Sequence, residues 1–100
     1  MEKYKVRLLP KAFRDIDEIF AYIALGKLSP ENAKAQTDRI YAALASLSLL
    51  PQAHQDRLVG RLVGKGYKHL LVDNYLAVFR INEEDKTVTV VTVQYQGRNK

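Results

Sequence analysis

The chain has 100 residues, 47% hydrophobic and 27% charged, which is ordinary for a globular protein and enough for one core but not two. It has no cysteine, excluding disulfides, thiolate catalysis and cysteine-ligated metals, and no apolar run approaching the roughly 18 residues that a membrane-spanning helix needs. The net charge of +5 is unevenly spread: residues 1–56 hold eight Lys/Arg against seven Asp/Glu, and residues 57–100 hold eight against four.

Residues 4–9, Y-K-V-R-L-L, alternate apolar and basic as a half-exposed strand does. Pro10 then opens a helical pattern with Ala12, Ile16, Ile19, Phe20 and Ile23 on one face, and Gly26 is a natural stop. Ser29-Pro30-Glu31 starts a second helix: serine can cap, proline gives up no useful N–H at the first position, and glutamate suits the positive end. Its stripe is Ala33, Thr37, Ile40, Leu44 and Leu47, with Pro51 just beyond. The short segment between the two patterns predicts an antiparallel helical hairpin.

After Pro51 the period becomes alternating. Residues 52–56 read as polar loop, 57–63 as a weakly signalled strand, Tyr67–Val72 and Tyr75–Ile81 as strands around an Asp73-Asn74 turn, and Lys86–Gln94 as the last strand. Glu83, Glu84 and Asp85 cluster in the preceding turn, which leaves the C-terminal half a mostly basic face suited to a polyanionic or acidic partner. A solubilising surface is the bland alternative. The unbroken β-branched run at 88–93 makes the last strand the central one. The expected fold is α+β: an N-terminal strand, a two-helix hairpin, then a three- to four-stranded antiparallel sheet, all in a single domain over residues 1–100. No secretory signal follows M-E-K-Y-K-V-R, so the expected location is cytoplasmic, with no membrane partner.

Familiar catalytic sets are absent. His54 and His69 lie in no metal-ligand spacing, and no phosphate-loop, nucleophile-elbow or dinucleotide motif occurs, so no metal or cofactor is expected. What remains is a set of cations and tyrosines on neighbouring strands: Tyr67, Lys68, Tyr75, Arg80, Tyr95 and Arg98. Such groups can neutralise phosphate and stack on unpaired bases, and could support RNA cleavage by its own 2′-hydroxyl. Each could equally be a solvated or sheet-forming side chain.

The stretches A-x-x-D-I-x-E-I-x-x-Y-I at 12–23, S-P-E-N-A at 29–33, R-I-x-x-A-L-x-S-L at 39–47, G-Y-K-H-L-L-V-D-N-Y-L-A-V-F-R-I at 66–81 and V-T-V-Q-Y-Q-G-R at 91–98 resemble the RelE/ParE superfamily of bacterial type II toxin–antitoxin toxins. The resemblance covers nearly the whole chain. It implies a toxin neutralised by a cognate antitoxin in a hetero-oligomer. RelE-like members are ribosome-dependent mRNA endoribonucleases that inhibit translation; ParE-like members inhibit DNA gyrase without catalysis. On the first reading, placed ahead because the basic half suits ribosomal RNA, Lys68, Arg80, Tyr95 and Arg98 are the catalytic candidates, and the ribosome and mRNA are the targets. Against it, the resemblance leads one to expect basic residues where Leu70 and Leu76 stand, and the long hairpin looks ParE-like. An inactive homologue that only binds antitoxin and regulates transcription is the third possibility.

Overall fold

The structure is a computed structural model that describes residues 3–49, 51, 55–56 and 66–96. Strand β1 (Lys5–Leu8) leads into helix α1 (Pro10–Ala21), and α2 (Pro30–Ala45) returns as the second arm of a hairpin. Strands β2 (Gln55–Asp56), β3 (Tyr67–Val72), β4 (Tyr75–Asn82) and β5 (Thr87–Tyr95) follow. All strands form one sheet in the order β1-β5-β4-β3-β2, parallel between β1 and β5 and antiparallel elsewhere. The expected α+β arrangement is therefore the observed one. The middle strand of the five is β4, not the last strand, because β1 pairs beyond β5. Gln55 and Asp56, read as loop, form a two-residue strand against His69 and Lys68. The strand expected over 57–63 lies outside the described residues, as do His54 and Arg98.

The hairpin packs on one face of the sheet. Ile16 from α1 and Ile40 and Leu44 from α2 meet Tyr75, Ala77 and Phe79 of β4 and Val88, Val90 and Val93 of β5. Fully burying an aliphatic or aromatic side chain of this size contributes about 1.5–3 kcal/mol, so this layer supplies most of the driving force. The α2 stripe is as periodicity dictates: Ala33, Thr37, Ile40, Leu44 and Leu47 are all buried. In α1, Ala12 and Ile16 are buried, but Phe20 is exposed and falls outside the stripe.

The hairpin turn departs from expectation in two ways. The end of α1 widens into a π-turn over Tyr22–Gly26 instead of stopping at a left-handed glycine. The positive backbone angle falls at Leu28, φ 53°, where the solvent takes nearly the whole side chain. Ser29 holds the position before α2 without a side-chain cap; only its carbonyl accepts from Ala33 N–H at 3.0 Å. Pro30 fits the first turn because it lacks the N–H that would have gone unbonded there.

The other turns read as the sequence suggests. Asp73 adopts φ 56° in the two-residue turn between β3 and β4. Between β4 and β5, Asn82 Oδ1 accepts from the Glu84 N–H at 2.9 Å. Glu83 in that turn receives a 2.7 Å hydrogen bond from the Tyr4 hydroxyl, stitching the acidic cluster to the start of β1. No helix among the described residues is long and apolar enough to cross a membrane.

Candidate functional site

The placement of Lys68, Arg80 and Tyr95 follows from strand parity. Lys68 pairs with Phe79, so it shares the helix-covered side of the sheet and is half-buried there. Arg80 pairs with Tyr67 and Thr89 and is exposed on the opposite side. Leu76 and Val78 alternate with it on that side and are 4% and 1% exposed, so they are core positions despite facing away from the hairpin.

Tyr95 would join Arg80 if β5 alternated without a break. It does not, because the register jumps: Phe79 pairs with Val90 and Val78 with Thr92, which leaves Val91 as an extra residue. A bulge of this kind reverses the parity of everything after it. Val93 and Tyr95 therefore come to the helix side, opposite Ala77 and Tyr75. Tyr95 also sits at the far end of β4 from Arg80, about 17 Å along the strand for the five residue steps from Tyr75 to Arg80. The three described candidates thus occupy two faces and two ends of the sheet.

What does converge is a second set, around an open cleft of about 830 Å³ between the hairpin and the Tyr95 end of the sheet. Ile19, Tyr22 and Ile23 form one wall, Gln36 and Arg39 of α2 another, and Tyr75, Val93 and Tyr95 the floor. Tyr75 and Tyr95 have ring centroids 5.5 Å apart in a tilted arrangement. Tyr22 and Tyr95 are 62% and 66% exposed, and Lys27 Nζ lies 5.6 Å from the Tyr22 ring centroid. Burial raises the Tyr75 hydroxyl above its ordinary pKa of 10.0, and the nearby Tyr95, Tyr22 and Asp73 add to that. A tyrosine shifted this way stays protonated at neutral pH, so the cleft offers hydrogen-bond donors and aromatic faces and not a base.

Two polar clusters hold the cleft in shape. Asp73 accepts from Gln36 Nε2 and Arg39 Nε, both at 2.9 Å, which ties the β3–β4 turn to α2 and fixes where Tyr75 begins. Those hydrogen bonds, Gln36 first, lower the Asp73 pKa. On the other side Asp15 of α1 accepts from Thr92 Oγ1 at 2.6 Å and from the Val93 N–H at 3.0 Å, and pairs with Lys11 at 2.9 Å. Of the cleft's polar residues, Lys27, Gln36 and Arg39 were not candidates from the sequence, and Asp15 and Tyr22 stood only in the family-like stretch at 12–23, with no role given to either. Tyr22 lay off the apolar stripe of α1, and an exposed tyrosine at a helix end was the signal available.

Comparison with known proteins places this geometry in context. The family profile described as ParE toxin of type II toxin–antitoxin system, parDE, matches residues 6–100. Comparison with curated proteins found no match. Among solved structures, the chromosomal ParDE system from P. aeruginosa is similar with a TM-score of 0.76 at 20% identity, over 95% of this chain and 98% of the other. The RelBE2 toxin–antitoxin complex from Mycobacterium tuberculosis gives 0.63 at 23% identity, over 95% and 93%. The archaeal RelE–RelB complex from Pyrococcus horikoshii gives 0.64 at 16% identity, over 97% and 99%. At these identities the likeness is one of fold.

Proposed function

Since the chain belongs to the ParE toxin family of type II toxin–antitoxin systems, we propose that it poisons its target by binding, with DNA gyrase as that target, and that a cognate antitoxin restrains it. The observation carrying this reading is the dispersal of Lys68, Arg80 and Tyr95 over two faces and two ends of the sheet. Cleavage of RNA by its own 2′-hydroxyl needs a base, an acid and charge stabilisers within hydrogen-bond reach of one phosphate. Groups separated by the thickness of a sheet and about 17 Å along it do not meet that demand. Leu76 is buried, so that position offers no cation either. On this reading Lys68, Arg80, Tyr95 and Arg98 are contact or solvated residues, and the aromatic cleft is the recognition surface.

Purified protein tested on gyrase supercoiling, and separately on programmed ribosomes carrying mRNA, separates the readings. The expected outcome is loss of supercoiling with intact mRNA. Lys68→Ala and Arg80→Ala should each leave the inhibition within about threefold, whereas removal of a working catalytic group costs about 10²-fold or more. Ribosome-dependent mRNA cleavage would overturn the proposal in favour of the RelE-like activity. A folded protein inert in both assays would leave the antitoxin-binding role alone.

A further inference from the structure

Most of the charge that lines the cleft is already committed within the fold. Asp15 accepts from Thr92 Oγ1 and the Val93 N–H and is paired with Lys11. Gln36 and Arg39 both donate to Asp73. Two charged groups on the cleft wall are left over. Among the described residues the Glu18 carboxylate makes no hydrogen bond or ion pair, and the Lys27 ammonium meets only the Tyr22 ring, 5.6 Å from its centroid. Glu18 stands one turn before Tyr22, whose N–H donates to the Glu18 carbonyl, so the carboxylate and the ring leave the same side of α1. With them in the cleft are Tyr95, two-thirds exposed, and Tyr75 beneath it.

A free acid and a free cation on one aromatic surface select a ligand largely by what they turn away. Glu18 repels a simple anion, Lys27 repels a simple cation, and an apolar ligand uses neither. A ligand that uses everything present has a flat ring, a donor edge for a carboxylate, and an anionic group beyond that ring. Guanine nucleotides are built this way. The N1–H and the exocyclic amine of guanine lie side by side, so one carboxylate accepts from both, and the phosphate follows on the sugar. Adenine and cytosine set a ring-nitrogen lone pair beside their amine, and that lone pair is repelled by the second carboxylate oxygen. Stacking on tyrosine holds any base, so the rings supply the hold and Glu18 the choice. The cleft volume of about 830 Å³ lies within the roughly 300–1,000 Å³ of small-molecule sites.

We propose that this cleft binds a guanine nucleotide, with the base stacked on Tyr22 and Tyr95, its donor edge on the Glu18 carboxylate and its phosphate at Lys27. A free mononucleotide and a guanine within a single strand present the same groups to an open cleft, and titration with each tells the two sources apart. This binding is independent of the target that the toxin poisons, and it is read on the purified chain alone.

Isothermal titration calorimetry of the full chain with GMP, AMP, guanosine, and short single strands with and without guanine tests it. GMP should bind saturably and about tenfold or more tighter than AMP, the discrimination that a two-point contact to a base edge gives. Glu18→Gln should remove that preference, because the amide offers one acceptor where the carboxylate offers two. Lys27→Ala should bring GMP down to the affinity of guanosine, and Tyr95→Ala should weaken every base alike. Unchanged thermal melts of these variants separate lost binding from lost fold. A guanine preference shown by the strands but not by GMP keeps the site and assigns its base to a strand. Equal binding of GMP and AMP, a preference that survives in Glu18→Gln, or no binding by any of these probes overturns the proposal.

Discussion

Asp15 shows how much one side chain can settle. Its side chain is 13% exposed, and burial alone would raise its pKa. The hydrogen bonds from Thr92, Lys11 and the Val93 N–H outweigh that penalty and hold it below the ordinary value of 3.8. A carboxyl whose folded pKa is lowered adds stability that is fully present above the unfolded value and is lost as the pH falls through the folded one. Its contribution to the urea midpoint should therefore be lost only as the pH falls below 3.8, and the difference between the wild type and Asp15→Asn should shrink over that same window. At neutral pH, Asp15→Ala should cost about 1–3 kcal/mol, because it leaves the Val93 N–H and the Thr92 hydroxyl without their acceptor. An unchanged midpoint would mean that solvent replaces the carboxylate at no cost.

At the scale of elements, the hairpin turn carries a residue that its backbone does not favour. Leu28 at φ 53° is in the left-handed region, where a side chain costs about 1–2 kcal/mol, and being 84% exposed it recovers little by burial. Leu28→Gly relieves that strain but adds about 0.5–1 kcal/mol of chain entropy in the unfolded state. Thermal melts should show a stabilisation of up to about 1 kcal/mol, while Leu28→Val, branched at Cβ, should lower the midpoint. A clear loss in the glycine variant would show that the leucine side chain packs more than its exposure indicates. The two helices were legible because a 3.6-residue period marks one face without ambiguity, and Ala33, Thr37, Ile40, Leu44 and Leu47 all followed it. The strands were legible as strands, but not by side. In β4 both Leu76 and Val78 and their alternates Ala77 and Phe79 are buried, so alternation carries no sign. In β5 the extra residue Val91 inverts parity, and its trace in V-T-V-V-T-V is the doubled valine at 90–91, which a strand buried on both faces shows as well. That single residue separates Tyr95 from Arg80 and joins it to Tyr22 and Tyr75, which the spacing of the sequence could not foretell.

At the scale of the whole molecule, charge acts on the approach of a partner more than on the fold. The net +5 arises from 16 Lys/Arg against 11 Asp/Glu; among the described residues, Lys11 with Asp15, Lys34 with Asp38 and Arg39 with Asp73 neutralise one another on the helices or between helix and sheet, and Lys86 with Glu83 does so in the β4–β5 turn. An acidic partner is drawn to such a surface at long range, and salt with a Debye length of about 10 Å at 0.1 M screens that attraction. Contacts that the cleft offers through Tyr22, Tyr75 and Tyr95 are short-ranged and aromatic, and salt weakens them far less. Raising the salt from about 50 to 500 mM should thus slow antitoxin association by about tenfold or more while dissociation changes by no more than about twofold. Stopped-flow or surface-based kinetics can separate the two rates. If instead the dissociation rate carried most of the salt dependence, ion pairs would be holding the complex together, and the aromatic cleft could not be its principal hold.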